Sequence, residues 1–301
     1  MKQVIVHDYH GDHLEHWLPG LVTYLRNSGA HVRVITRKSA PRTLLRAVHK
    51  QRGVFLPVAR LWLRHLLKRI DHVFMWNGED ECHGLLRQEC ASLGLPCSIL
   101  EVGYFPQESY FTIDSQGINA TSALMDDSLE WVGTEHLRHL DALRGDYLGE
   151  RSWRGGGGFI LVPLQLAKDT NIRNNCNFRT MQEFIDHCEE TFPNRRLVFK
   201  KHPRDDEDYS SSHQILLRGD FLDLAQDADL VYGINSTCLL ESSLLGAPTE
   251  AVGNGFLKAH PNQQERLLAA LADKQIPITE TDLSYWLEKY AANDRATPKC
   301  A

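Results

Sequence analysis

Between Glu15 and Asp71 the chain carries no acidic residue, although the same interval holds twelve lysines and arginines. That gap marks 26–69 as a basic block suited to an anionic membrane surface or a polyanionic acceptor. Long apolar runs are missing too: no window approaches the roughly 18 residues of a membrane span. The opening "MKQVIVHDYHGD" passes from a strand straight into polar residues, so no secretory leader is expected. Seven cysteines, an odd number with no C-x-x-C pair, fit neither a zinc scaffold nor a disulfide framework and suggest a reduced, cytoplasmic setting. Four histidines crowd "HDYHGDHLEHW" without an H-x-x-x-H pair, and no metal is expected there. A net charge of -6 and the lack of aromatic stacking motifs argue against nucleic acid. No repeat and no low-complexity tract beyond one run of glycines is present.

What remains is ordinary globular composition, 42% hydrophobic and 24% charged, in a chain of 301 residues that is long enough for two domains. Short apolar runs alternate with helical patterns. "KQVIVH" predicts a strand, Leu14 to Asn27 a helix, and "HVRVIT" and "HVFMWNG" further strands. A helix through Leu85 to Leu93 and the strand "CSILEVGYF" follow. Polar "RGDYLGERSWRGGGG" then reads as a linker or hinge, after which "FILVPLQ", "RLVFKKHP" and "DLVYGIN" restart the alternation. The expected fold class is α/β, with two Rossmann-type doubly wound domains and an interdomain cleft. The domains are placed at 1–150 (acceptor side) and 151–301 (nucleotide-sugar side), the last helix packing back on the first domain. Within the basic block, "FLPVARLWLRHLLKRI" sets Arg60, Arg64 and Lys68 at helical spacing. Such a helix suits either a membrane surface or a domain core, and the pattern leaves both open.

In an open α/β sheet, ligands sit beyond the carboxyl ends of the strands. "LVFKKHPRD" ends a core strand on Lys200, Lys201 and His202 and fixes the backbone with Pro203, a cluster suited to phosphate. "GINSTCLLESSLLGAP" places Asn235, Ser236 and Thr237 where a strand gives way to a helix. The N–H groups and positive dipole end there can hold a phosphate, or Ser236 can be a simple N-cap. Glu241, one turn deeper, can accept hydrogen bonds from ribose. Gln165 joins this nucleotide-sugar set from the end of "FILVPLQ", while His10, Asn77 and Asn119 are assigned to acceptor or sugar contacts. Glu101 and Asp169 each follow an apolar strand, and two carboxyl groups are what glycosidic-bond chemistry commonly uses; solvated or capping roles remain open for both.

The order "EVGYFPQESYFTIDSQGINATSAL", "VPLQLAKDTNI", "KKHP", "INSTCLLESSLLGAP" resembles the capsule polysaccharide biosynthesis proteins of the retaining β-Kdo transferase type, the KpsS and KpsC proteins, over roughly Trp76 to Gly255. The resemblance implies that the α/β fold is GT-B-like, with CMP-Kdo as donor and a β-linked product formed with net retention, on a lipid or glycan acceptor in capsule or lipopolysaccharide synthesis. It implies that His202 and Pro203 bind CMP and that Ser236, Thr237 and Glu241 contact phosphate and ribose. Asp169 stands at the nucleophile's position and Glu101 at that of the acid/base. No cofactor beyond the donor is implied, and the protein is expected at the inner face of the inner membrane. Ala167-Lys168 and Gln107 depart from the family's usual acidic and basic residues. Two alternatives stay open: another CMP-ulosonic acid or a UDP-sugar as donor, and a noncatalytic protein that binds nucleotide or glycan.

Overall fold

A computed structural model describes residues 1–8, 11–36, 38–39, 55–78, 81–166, 172 and 175–292. Asp169 and His10 therefore lie outside the described residues. By its internal contacts the chain divides into two compact units, Met1–Ala123 with Lys274–Ala301, and Leu124–Asp273. The expected division at 150/151 is thus drawn by contacts at 123/124, and everything from Lys274 onward returns to the first unit.

The first unit begins with β1 (Gln3–His7), α1 (His13–His16), α2 (Pro19–Asn27), β2 (His31–Ile35), α3 (Phe55–Leu67), β3 (His72–Trp76), α4 (Glu81–Ser92), β4 (Cys97–Val102) and β5 (Tyr110–Asp114). The single helix expected from Leu14 to Asn27 is two. Pro19 has no N–H to continue the preceding turn and instead takes the first position of α2, where none is needed. Strand alternation sends Val4 and Val6 to one face, against Leu21, Val22 and Leu25 of α2. Ile5 points to the other, with Leu63 and Leu67 of α3 and Leu85 and Leu86 of α4. Helix α3 thus uses its apolar side as core. Its Arg64 donates to Glu89 at 2.6 Å and Arg60 lies 3.4 Å from the same carboxylate, which is 2% exposed. Part of the basic row is therefore consumed within the unit.

The second unit carries α5 (Thr134–Leu148), β6 (Phe159–Pro163), α6 (Met181–Thr191), β7 (Arg196–Lys200), β8 (Gln214–Leu216), α7 (Phe221–Ala225), β9 (Leu230–Gly233), α8 (Thr237–Leu245), β10 (Thr249–Ala251), α9 (Phe256–Ala259) and α10 (Gln264–Lys274). Its strands run in the order β10-β9-β6-β7-β8, and every pairing is parallel. Such sheets are covered on both faces, which is why "FILVP" is buried at all five positions. Phe184 and Ile185 of α6 cover Ile160, Val162, Leu197 and Phe199 on one side. The glycines at 155–158, read as a linker, lie inside this unit. Gly155, Gly156 and Gly158 take positive φ, and Gly155 and Gly157 donate backbone N–H groups to Gln226 and Asp227.

After α10 the chain adds β11 (Gln275–Pro277) and α11 (Ser284–Tyr290) to the first unit. The first sheet has the order β11-β5-β4-β3-β1-β2. β1 to β4 pair in parallel, while β5 runs antiparallel to both its neighbours, β4 and β11, so the sheet is mixed where pure alternation predicts a parallel one. No helix among the described residues is long and apolar enough to cross a membrane.

Candidate functional site

In the second sheet β6 is flanked by β7 on one side and β9 on the other. The chain leaves β6 one way and comes back the other, and such a reversal opens a crevice beyond the carboxyl ends of the two central strands. Two expected residues meet there. Gln165 Nε2 donates to Asn235 Oδ1 at 3.2 Å, and the Asn235 backbone N–H donates to Gln165 Oε1 at 3.3 Å. Asn235 Nδ2 also donates to the Asn254 carbonyl at 3.1 Å, in the turn after β10. Gly253 permits that approach, since a Cβ there would fall 2.5 Å from Ile234 Cγ2.

Beyond Asn235, Ser236 is the N-cap of α8 in extended conformation, its hydroxyl accepting the Cys238 N–H at 3.3 Å. Thr237 opens the helix, and no acidic residue occupies the first turn to compete for an anion. One turn on, Glu241 accepts a hydrogen bond from the Tyr147 hydroxyl on α5. Sequence reasoning missed Tyr147, because nothing in "RGDYLG" ties it to a glutamate 94 positions away. The Cys238 thiol is pushed up to about 12 by burial and then by the Glu241 carboxylate, with Lys200 pulling the other way. Lys200 and Glu241 therefore both act on the start of α8.

Lys200 ends β7 and Lys201 follows it, both almost wholly buried at 7% and 8% exposed. The Lys201 ammonium donates to the Glu207 carbonyl and lies 5.6 Å from the centre of the Tyr209 ring. It braces the loop that follows. Lys200 Nζ donates to the Lys201 carbonyl at 3.0 Å, and among the described residues it forms no salt bridge. A buried ammonium is costly without an opposite charge, so Lys200 calls for an anion. His202 Nδ1 accepts the Arg204 N–H at 3.1 Å. In the neutral ring this puts the proton on Nε2, which is then a hydrogen-bond donor. Pro203 holds the turn between them.

The first unit has its own reversal, at β1 between β2 and β3. Asn77 ends β3 in the left-handed region at φ 60°, a conformation asparagine tolerates, and Gly78 follows at φ 75°. This bend lets Asn77 Nδ2 donate to Glu101 Oε2 at 2.7 Å, while Glu101 Oε1 accepts the Val102 N–H at 3.0 Å. Two expected residues thus come together, with both oxygens of Glu101 engaged. Asn119, at φ 42°, lies in a short turn whose Ser122 N–H returns to its carbonyl at 3.1 Å. Asp8, just past β1, went unassigned in the sequence. It is 1% exposed and accepts the N–H groups of His13 and Leu14 at 3.0 and 3.1 Å. Burial alone would raise its pKa, but the hydrogen bonds from His13 and from the backbone outweigh that and hold it below the usual range. His13 in turn stacks on Trp76 at 4.1 Å. Among the described residues, no group of three or more His, Cys, Asp or Glu side chains is placed to hold a metal ion.

Residues 150–259 match the family model described as capsule polysaccharide biosynthesis protein. That stretch contains all the described second-unit residues expected from the sequence. No curated protein sequence matches the chain. Among solved structures the chain is similar to a Thermosulfurimonas dismutans KpsC structure described as a β-Kdo 2,7 transferase, with TM-score 0.58 and 17% identity, covering 90% of each chain. A second, described as the β-Kdo 2,4 transferase of KpsC from the same organism, gives TM-score 0.58 and 16% identity over 88% of this chain and 89% of the other. At these identities the likeness is one of fold. The two Rossmann-type α/β units are GT-B-like, and the resemblance read from the motif order recurs in the family model and in the architecture.

Proposed function

We propose that this chain is a retaining β-Kdo glycosyltransferase that moves Kdo from CMP-Kdo to a lipid or glycan acceptor in surface polysaccharide synthesis. The observation that carries the reading is Lys200, a buried ammonium lacking a carboxylate partner among the described residues, beside the Ser236-capped start of α8. A phosphate placed there gains a full positive charge and a helix N-terminus together. His202 Nε2–H adds a neutral donor. Glu241, held by Tyr147, suits a ribose hydroxyl.

The chemistry follows from the donor. The anomeric carbon of Kdo is fully substituted and carries a carboxylate, so its transition state is oxocarbenium-like. Asp169 attacks that carbon as the bond to the CMP phosphate oxygen breaks, giving a Kdo–Asp169 ester and free CMP. Lys200, His202 and the α8 N-terminus stabilise the charge that grows on the departing phosphate. In the second step an acceptor hydroxyl attacks the same carbon, Glu101 takes its proton, and Asp169 leaves as a carboxylate. Two inversions give net retention. Work on a membrane-borne acceptor places the protein at the cytoplasmic face of the inner membrane, with the basic 26–69 region towards the anionic surface.

The test is CMP release from enzymatically generated CMP-Kdo, with UDP-sugars as controls and Kdo-primed glycan or phosphatidylglycerol as acceptors. Acceptor-dependent CMP release and a β-configured product by NMR are expected. Turnover of a UDP-sugar instead would transfer the reading to the other donor class. Nucleotide binding without turnover of any donor would favour a noncatalytic role.

A further inference from the structure

Beyond the ends of β6, β9 and β10, amides are linked in series. Gln165 and Asn235 exchange two hydrogen bonds, and Asn235 Nδ2 reaches the Asn254 carbonyl. The Asn254 N–H donates to the Asn175 carbonyl at 2.7 Å. The series ends on Asn175, which is 8% exposed and whose side-chain Nδ2, shielded from solvent, has no hydrogen-bond partner among the described residues. Buried polar atoms are nearly always satisfied, and leaving one unmade destabilises the fold. The contact that ties Asn175 into the unit uses its backbone carbonyl, which any residue would supply. The side-chain Nδ2 is therefore not what holds Asn175 to the described residues.

We infer that Asn175 is a donor-recognition residue, its side-chain amide giving a hydrogen bond to an uncharged acceptor oxygen of the bound nucleotide-sugar. An uncharged oxygen is inferred because the anionic part of the donor is already met by Lys200 and the start of α8. A base carbonyl and a sugar hydroxyl present the same chemistry, and the nucleotide alone separates them. The inference rests on the donor site proposed above.

The experiment compares wild type with Asn175→Ala and Asn175→Leu, the latter keeping the shape while removing the donor without adding a charge. Titration with CMP and steady-state kinetics with CMP-Kdo are run beside thermal melts of the ligand-free proteins. Ligand-free melting temperatures unchanged or raised are expected, because an unsatisfied buried donor has been removed. CMP affinity falls about 5- to 30-fold if the oxygen belongs to the base, on the scale of one hydrogen bond to a buried partner. If it belongs to the sugar, CMP binds as before and KM for CMP-Kdo rises by about the same factor. Wild-type binding with both variants unaffected overturns the Asn175 assignment alone. So does a drop in ligand-free stability without any change in affinity, which marks a structural residue. A wild type that binds neither CMP nor CMP-Kdo overturns the donor reading itself, and this inference with it.

Discussion

Replacing Lys200 with methionine is expected to weaken CMP binding about 10- to 100-fold, on the scale of a lost charge-assisted hydrogen bond, while leaving the ligand-free protein as stable or more so. The two halves come from one cause. Lys200 is 7% exposed, and its ammonium gives its hydrogen bond to the Lys201 carbonyl with no salt bridge among the described residues. Holding an unpaired charge away from water costs several kcal/mol by a rough continuum measure, and methionine of similar length removes that cost. On the proposed reading the same ammonium stabilises a phosphate at the start of α8, which methionine would not. Lys200→Arg should not rescue binding, because a planar guanidinium does not fit a site shaped for a compact ammonium. Calorimetric titration with CMP and thermal melts read both effects. A destabilised variant that still binds CMP normally would make Lys200 a brace for the following loop, as Lys201 is.

The largest loss of stability is expected in the first unit, from Lys274→Met. Lys274 is 1% exposed and its ammonium pairs with Asp114, itself 3% exposed. Asp114 organises the turn beyond β5. It accepts the N–H groups of Gln116, Gly117 and Ala123 at 2.7, 2.9 and 3.1 Å and the Ser122 hydroxyl at 2.5 Å. Truncating the cation strands a buried carboxylate, which costs about 3–5 kcal/mol in comparable cases. Urea denaturation of the full chain at pH 7 measures it. Burial alone would raise the Asp114 pKa, but Lys274 and the hydrogen bonds outweigh it and lower the value from 3.8. The stabilisation in wild type is therefore complete above pH 3.8 and lost as the pH falls below it. In the variant the pull of Lys274 is gone, so the carboxyl takes up a proton more readily than in wild type and the deficit narrows as the pH falls. Asp114→Asn in the same background should recover part of the loss, since it removes the stranded charge. A single variant within about 1 kcal/mol of wild type at pH 7 would contradict this account.

Most of the second sheet was legible because its strands are continuous apolar runs separated by helices, and parallel order follows from that pattern. The rule that ligands sit at strand ends pointed to Gln165, Lys200 and Asn235, and the structure places all three at or just beyond the ends of β6, β7 and β9. The antiparallel edge of the first sheet was not legible. β5 pairs with β11, putting Thr112 opposite Gln275, and "QIP" has no period of its own to announce a strand. The return of the chain after Lys274 was hidden with it, and so was a boundary at 123/124. Glycines at 155–158 looked like a hinge because composition reports conformational freedom and not where that freedom is used. They spend it on positive φ angles that bring their N–H groups to Gln226 and Asp227. In the site, Tyr147 and Asn175 escaped notice because each joins it through a residue distant in sequence, Glu241 in one case and Asn254 in the other. The two adjacent lysines were equivalent on paper, and only their partners distinguish Lys201, which braces the loop, from Lys200, which has no salt bridge among the described residues.

The central claim is that a Kdo residue passes through a covalent bond to Asp169. Intact-protein mass after mixing with enzymatically generated CMP-Kdo tests it directly, with Asp169→Ala and Asp169→Asn alongside. The account predicts a Kdo-sized increment on wild type, absent from both variants and discharged when acceptor is added. An increment that persists in the variants would move the nucleophile elsewhere. No increment on wild type, with no release of CMP, would contradict the transferase and leave a nucleotide-binding fold.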